Sequence, residues 1–386
     1  MRALVLLLLL LSPAALYSDM SPEVVLAAGG APAIAASRSR LLVVFQTSDQ
    51  LRGVFADFDG KPIGEPFTIA SDPGPCAVAS DGRDFLVGWT ANGEVRAAMV
   101  RESGAVESLP PIPGTAALEW GERLTAAFNG ALYFLFWNDA SAHAAVISTE
   151  GVIGRLLDFP DLKSIGGAVG DPSRLVAVGT SPMIVGRVVG VWAATVDASL
   201  NVSPAVLIAG EPFTAGSGRP IANWPAIAAG ANGYFATWLR GRTSRLQKIE
   251  STRLTPELST LDVFPSAAIG WTFGRDLNDN SQNWGDHYDS PRLAAAGREF
   301  VVVWALDSGG PAYGVWATFV DGSGAPVVTM PIATRAKYSF QFFAGLPDVV
   351  GFPDGHAVVV YARNPGQIVA RSITDAPGPR RRPVRR

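Results

Sequence analysis

The 386-residue chain is long enough to bury a large core, and 48% hydrophobic against 17% charged residues excludes a disordered protein. Its 41 Gly and 29 Pro favour many short strands and turns over long helices. The net charge is −3, and five tail arginines (Arg380, Arg381, Arg382, Arg385, Arg386) leave −8 on residues 1–379, so the acidic body lacks the basic face that nucleic acid needs.

The chain begins MRALVLLLLLLSPAALYSDM. Arg2 precedes an apolar run from Leu4 to Leu11, and small residues follow at Ser12, Ala14, Ala15 and Ser18. This is the pattern of a secretory signal peptide, assigned to 1–18, with cleavage expected between about Ala14 and Ser18. The run is shorter than the ~20 residues of a spanning helix, so no membrane span is expected after cleavage. A secreted or periplasmic address follows. The single cysteine, Cys76, rules out an intramolecular disulfide, and core burial must hold the fold together.

A repeat then runs through the chain. Its clearest copy is Pro291 to Pro326, which reads as a small-residue strand, an apolar strand ending in an aromatic, and an alternating strand entering an Asp-Gly turn. The aromatic anchors are Phe45, Trp89, Trp137, Trp238, Trp304 and Tyr361, with Thr180 at the anchor of copy four. They recur at intervals of 44, 48, 43, 58, 66 and 57 residues, a propeller-blade period with insertions in the later copies. Before the anchors stand Pro32-Ala33, Pro75-Cys76, Pro225-Ala226, Pro291-Arg292 and Pro347-Asp348. Small residues suit the innermost strands, and Cys76 reads as a small buried hydrophobe. After the anchors come the near-copies Gly53–Asp59, Gly190–Asp197 and Gly314–Asp321, where Asp59-Gly60 and Asp321-Gly322 signal turns. A fourth strand follows, as in Pro66–Ala70, Pro204–Ala209 and Pro326–Met330.

The fold class is therefore all-β: a seven-bladed β-propeller of four-stranded antiparallel blades over 19–376, ahead of a disordered basic tail, 377–386. Two β-sandwich domains are the rival, but they explain a single regular repeat poorly. Copy seven lacks a fourth strand, while Glu23 to Ala27 forms an orphan strand ahead of copy one. The N-terminal strand is expected to close the ring by pairing antiparallel with Gln367 to Thr374. With h for an apolar residue, FhVxW followed by G-V-x-A-x-h-x-D-G-x-x-h-G/P resembles the repeats of uncharacterised secreted bacterial β-propeller proteins over roughly residues 21–375. The resemblance implies the fold and carries over no catalytic residue.

Insertions fall at 210–224, 266–290 and 333–346, in connections expected on the face that also carries the loops between second and third strands. There is no HExxH, CxxC pair, GxSxG, P-loop or GxGxxG, and the histidines are His143, His287 and His356. The 266–290 segment is the richest in chemistry. Carboxylates beside indoles fit saccharide recognition, so Trp224, Trp271, Asp276, Trp284, Asp286 and His287 are the candidate ligand-binding residues. Asp276, Asn278 and Asn280 match the first ligands of a calcium loop, but Ser281 replaces its turn glycine and His287 its bidentate Glu. Calcium is the only cofactor the segment suggests. A polar surface loop with its Trp residues packed beneath is the plain alternative. The functional expectation is a monomeric binding or scaffold module that presents a loop-decorated face to a glycan or protein ligand. The alternative is a polysaccharide-acting hydrolase or lyase using carboxylates of the 266–290 loop.

Overall fold

The computed structural model of the chain describes residues 20–115, 124–171, 173–180, 188–212, 221–241, 247–262, 266–272, 291–306, 314–334, 347–363 and 366–375. These residues form 28 strands in seven antiparallel sheets of four, the blades of a propeller. Blade one is β2 (Gly30–Ala36), β3 (Leu41–Gln46), β4 (Leu51–Ala56) and β5 (Pro62–Ala70). Blade two is β6 (Cys76–Ser80), β7 (Phe85–Ala91), β8 (Glu94–Val100) and β9 (Val106–Ser108). Blade three is β10 (Thr125–Phe128), β11 (Tyr133–Asn138), β12 (Ala142–Ile147) and β13 (Ile153–Phe159). Blade four is β14 (Ser164–Asp171), β15 (Arg174–Thr180), β16 (Val188–Asp197) and β17 (Val206–Pro212). Blade five is β18 (Ile221–Gly230), β19 (Gly233–Gly241), β20 (Gln247–Leu254) and β21 (Ser266–Thr272). Blade six is β22 (Arg292–Ala296), β23 (Glu299–Leu306), β24 (Gly314–Val320) and β25 (Pro326–Thr334). Blade seven is β26 (Asp348–Gly351), β27 (His356–Arg363), β28 (Gln367–Thr374) and, from the other end of the chain, β1 (Val24–Ala28).

The central positions of each second strand are mostly apolar because both of its faces are covered. In β23, alternate residues point to opposite neighbours. Phe300, Val302 and Trp304 pack on blade five, and Val301 and Val303 pack on blade seven. The anchors follow one rule: Phe45, Trp89, Trp137, Trp238, Trp304 and Tyr361 all face the preceding blade, and none is more than 4% exposed. Tight approach is needed between these layers. A Cβ on Gly88 would lie 2.3 Å from Leu135 Cδ1 of the next blade.

Strand register changes two assignments made from sequence. In blade four the residue at the anchor position is Gly179, not Thr180. Leu175 and Ala177 face blade three, so Gly179 follows on that side, paired with Trp192. The aromatic that β15 lacks is supplied by the facing strand, as Trp192 packs against the cluster between blades three and four with Phe136 and Phe159. Thr180 instead exchanges a hydroxyl hydrogen bond of 2.7 Å with Ser164.

The turn aspartates also shift. Asp321 Oδ1 accepts from the N–H groups of Ser323 and Ala325 at 2.8 and 3.0 Å, and Gly324, not Gly322, takes the left-handed conformation with φ 84°. The counterpart in blade one is Asp57, which accepts from Asp59 N and Lys61 N at 3.0 and 2.8 Å. Asp59, expected in that role, faces Lys61 at 3.8 Å. A side chain that satisfies the turn from its first residue requires a five-residue turn rather than a two-residue Asp-Gly one. Hydrogen bonds from Ser323 and the turn amides hold the Asp321 carboxyl below the ordinary carboxylate range.

The ring closes as the orphan strand implied. Val24, Val25, Ala27 and Ala28 pair with Ala370, Val369, Ile368 and Gln367, with a bulge between Val25 and Ala27. The ladder extends to a Met20–Ile373 bridge and to Ser21, whose N–H donates to Ser372 O at 2.9 Å. Glu23 accepts from the Tyr361 hydroxyl at 2.7 Å and pairs with Arg363. Asp348, at the start of β26, accepts from Ile34 N of blade one at 3.0 Å, so blade seven is tied to its neighbour at the axis as well.

Three outcomes follow from these contacts. Deleting residues 21–28 should lower the melting temperature by several degrees, as ~1–3 kcal/mol does in a chain of this size; an unchanged melting curve would separate closure from stability. Trp304→Ala should cost about 3–5 kcal/mol in denaturant unfolding, and a loss below about 1 kcal/mol would contradict its packing between blades five and six. Glu299, at the seam of blades six and seven, is pushed up to about 7, first by burial and then by the hydrogen-bonded carboxyl of Asp375. The native state therefore keeps a proton that the unfolded chain has lost between about pH 4.5 and 7, and this contribution to stability falls as pH rises through that window. Glu299→Gln should flatten the slope and raise the melting temperature above about pH 7, which thermal scans across pH would check.

Candidate functional site

In each blade the chain enters the innermost strand and turns from second to third strand at one face of the ring, and turns from first to second and third to fourth at the other. The first face carries all three inserted segments. Parts of them are strand rather than loop: Gly210 to Pro212 end β17, Ile221 to Trp224 open β18, Ser266 to Thr272 form β21, and Ala333 and Thr334 end β25. In blade five, β19 runs three residues beyond its anchor Trp238 and gives both neighbours a longer edge to pair with.

Of the residues singled out in the sequence, Trp224 and Trp271 have described backbones. Trp271 pairs with Lys248, Lys248 with Arg240 and Arg240 with Ala222, two residues from Trp224. The two tryptophans thus stand at the same end of one blade, on its first and fourth strands, roughly 14 Å apart at ~4.8 Å per strand. Asp276, Asn278, Asn280, Trp284, Asp286 and His287 lie outside the described residues. Among the described residues, no group of three or more His, Cys, Asp or Glu is arranged to hold a metal ion.

The cavities among the described residues include one on the axis and one between blades two and three. The first is about 150 Å³, lined by small innermost-strand residues such as Ala33, Ala77, Gly167 and Ala226 and by Arg292 and Asp348. The latter two form an ion pair, with Arg292 Nε 3.7 Å from Asp348 Oδ1. Cys76 is not part of the lining. It pairs with its anchor Trp89, whereas Ala33 and Ala226 pair one residue before theirs, with Val44 and Thr237, so Ala77 is their counterpart. The Cys76 thiol, 3.9 Å from Ala31 O, is pushed up to about 12 by burial and then by the Asp348 carboxylate, against the pull of Arg292. Both effects hold the half-buried thiol toward its protonated form at neutral pH.

The second cavity, about 190 Å³, lies between blades two and three on the face of the insertions, lined by Pro113, Gly114, Trp137, Asp139, His143, Leu156, Leu157 and Asp158. His143 opens β12 beside Asp158 of β13, its cross-strand partner. Its Nδ1 is 2.7 Å from Asp158 Oδ1, and its Nε2 is 3.0 Å from Asp139 Oδ1 and 3.2 Å from Ser141 Oγ. The imidazole stacks on Trp137 with ring centres 5.6 Å apart. Partial burial pushes the Asp139 carboxyl up, but the Ser141 N–H and the His143 ring outweigh it, and its value falls below the ordinary one. The sequence signal was the run Asp139-x-Ser141-x-His143 directly after an anchor, where polar residues alternate onto one side of a hairpin. The third member, Asp158, needs the β12–β13 register.

No protein-family model matches the sequence, and no curated protein matches it. Among solved structures, the fold is similar to hydrazine synthase of Kuenenia stuttgartiensis, at 14% identity over 90% of this chain and 96% of that one, TM-score 0.52. It is also similar to a protein of unknown function from Dyadobacter fermentans, at 11% identity over 93% of this chain and 99% of that one, TM-score 0.50. At these identities the likeness shows the propeller fold alone.

Proposed function

We infer that this propeller is a secreted binding module that presents the face of its inserted connections to a glycan or protein ligand. The observation that carries this reading is the position of Trp224 and Trp271. Separated by 47 residues in sequence, they stand at the same end of blade five, on the face where the long connections emerge. Aromatic side chains supply broad apolar contact, and the Asp and Asn residues of 276–289 supply the acceptors and donors that orient a ligand. Calcium held by Asp276, Asn278 and Asn280 would order that segment, and the chain would act as a monomer. No helix among the described residues is long and apolar enough to cross a membrane.

A glycan-array screen of the mature protein tests this reading. Binding is expected, and the Trp224→Ala, Trp271→Ala double variant should weaken it at least tenfold at an unchanged melting temperature. Undiminished binding by that variant, or no glycan bound at all, would overturn the glycan-binding reading. Release of new reducing ends from a bound polysaccharide would favour the hydrolase instead.

A further inference from the structure

We propose that the cavity between blades two and three binds one amino-sugar unit, with the sugar ammonium held at the carboxylates that flank His143. This rests on the glycan-binding reading only in taking the ligand class to be a glycan, and it places a site on blades two and three rather than on blade five.

The charge of the cavity is the first argument. Asp139 and Asp158 stand at opposite nitrogens of one imidazole, and no Lys or Arg lines the cavity. One imidazolium can neutralise only one of two carboxylates, so the rim stays negative in either protonation state of His143. Asp158 is 79% exposed, and the His143 contacts of both carboxylates, with that of Ser141 N on Asp139, all fall on Oδ1. The rim therefore keeps acceptor capacity for a cationic donor, and charge-assisted hydrogen bonds are the stronger kind.

Shape and lining argue for a sugar rather than a simple amine. The two carboxylates stand at opposite nitrogens of one imidazole, so a ligand that engages both needs two separate donors. A lysine ammonium is a single point, whereas a 2-amino sugar carries an ammonium and several hydroxyls around one ring. Pro113, Leu156 and Leu157 provide an apolar wall for a ring face, and Leu156 is 39% exposed at the rim. The indole of Trp137 also lines the cavity, and its N–H, like those of Trp89, Trp192 and Trp304, has no partner among the described residues. A volume of about 190 Å³ is below the roughly 300–1,000 Å³ of pockets for drug-sized ligands, and suits a single ring.

The test is calorimetric titration of the full chain with glucosamine, glucose, N-acetylglucosamine and propylamine at neutral pH. Glucosamine should bind saturably and at least tenfold more tightly than each of the other three. Asp158→Asn, a substitution on an exposed side chain, should lower that affinity at least tenfold at an unchanged melting temperature. Glucose or N-acetylglucosamine binding as well as glucosamine would remove the role of charge. Propylamine binding as well would remove the role of the ring. No binding of glucosamine, or binding untouched by Asp158→Asn, would overturn the site. Glycan-array binding that survives Asp158→Asn but is lost in the Trp224, Trp271 double variant would overturn this proposal while leaving the blade-five reading intact.

Discussion

A ring of blades stays shut only if its first and last blades are joined, and a chain with one cysteine must make that join without a covalent bond. Here β1 supplies the outer edge of blade seven, and the bonds fall on both sides of the seam. The β1–β28 ladder holds the periphery, Glu23 reaches the buried Tyr361 and Arg363 in the middle of the blade, and Asp348 accepts from Ile34 N at the axis. Opening the ring would break all three sets together and expose the apolar layer between blades seven and one. The carboxylate of Glu23 is expensive to strand beside Tyr361 without its partners, which makes the closure cooperative as well as strong.

Once the ring is shut, the remaining stability is repeated around it. Seven apolar clusters fill the seven spaces between blades, each built from alternate residues of two neighbouring second strands. Blade four shows how the arrangement tolerates a missing part. With Gly179 at the anchor, Trp192 on the paired strand supplies the aromatic, and Phe136 and Phe159 of blade three pack in the same layer. What the layer requires is volume at that place, from whichever strand can deliver it.

The same geometry decides where chemistry can collect. Residues inside the blades are committed to packing, and the innermost strands need small side chains to converge. Hydroxyls such as Thr237 and Thr318 stay inside the blades, but charged groups such as Asp139 and Asp158 collect at the strand ends, where the chain past an anchor leaves the core. The Asp139–His143–Asp158 group arises in this way, since Trp137 closes the layer and the following hairpin carries the polar residues to the rim. Arg292 and Asp348 are the exception on the axis, and their pairing, with Ile34 N on Asp348, explains how charge is accommodated among alanines.

The repeat made the class, the blade count and the closing strand legible, because each follows from a local pattern: an apolar run too short for a helix, an aromatic at its end, and an orphan strand matched to an absent one. The anchors could be read as buried for the same reason. Register was not legible. Whether Thr180 or Gly179 occupies the anchor, and whether Asp57 or Asp59 holds its turn, depends on hairpin lengths that differ by a residue or two, and a one-residue slip turns a side chain to the other blade. The site shows the same division. Tryptophans and carboxylates at 266–290 are legible by composition, as a segment. The His143 group has two members adjacent on a hairpin and a third, Asp158, that only the pairing of β12 with β13 brings to the ring. Composition marks what a stretch contains, but cross-strand pairing alone decides which charges meet.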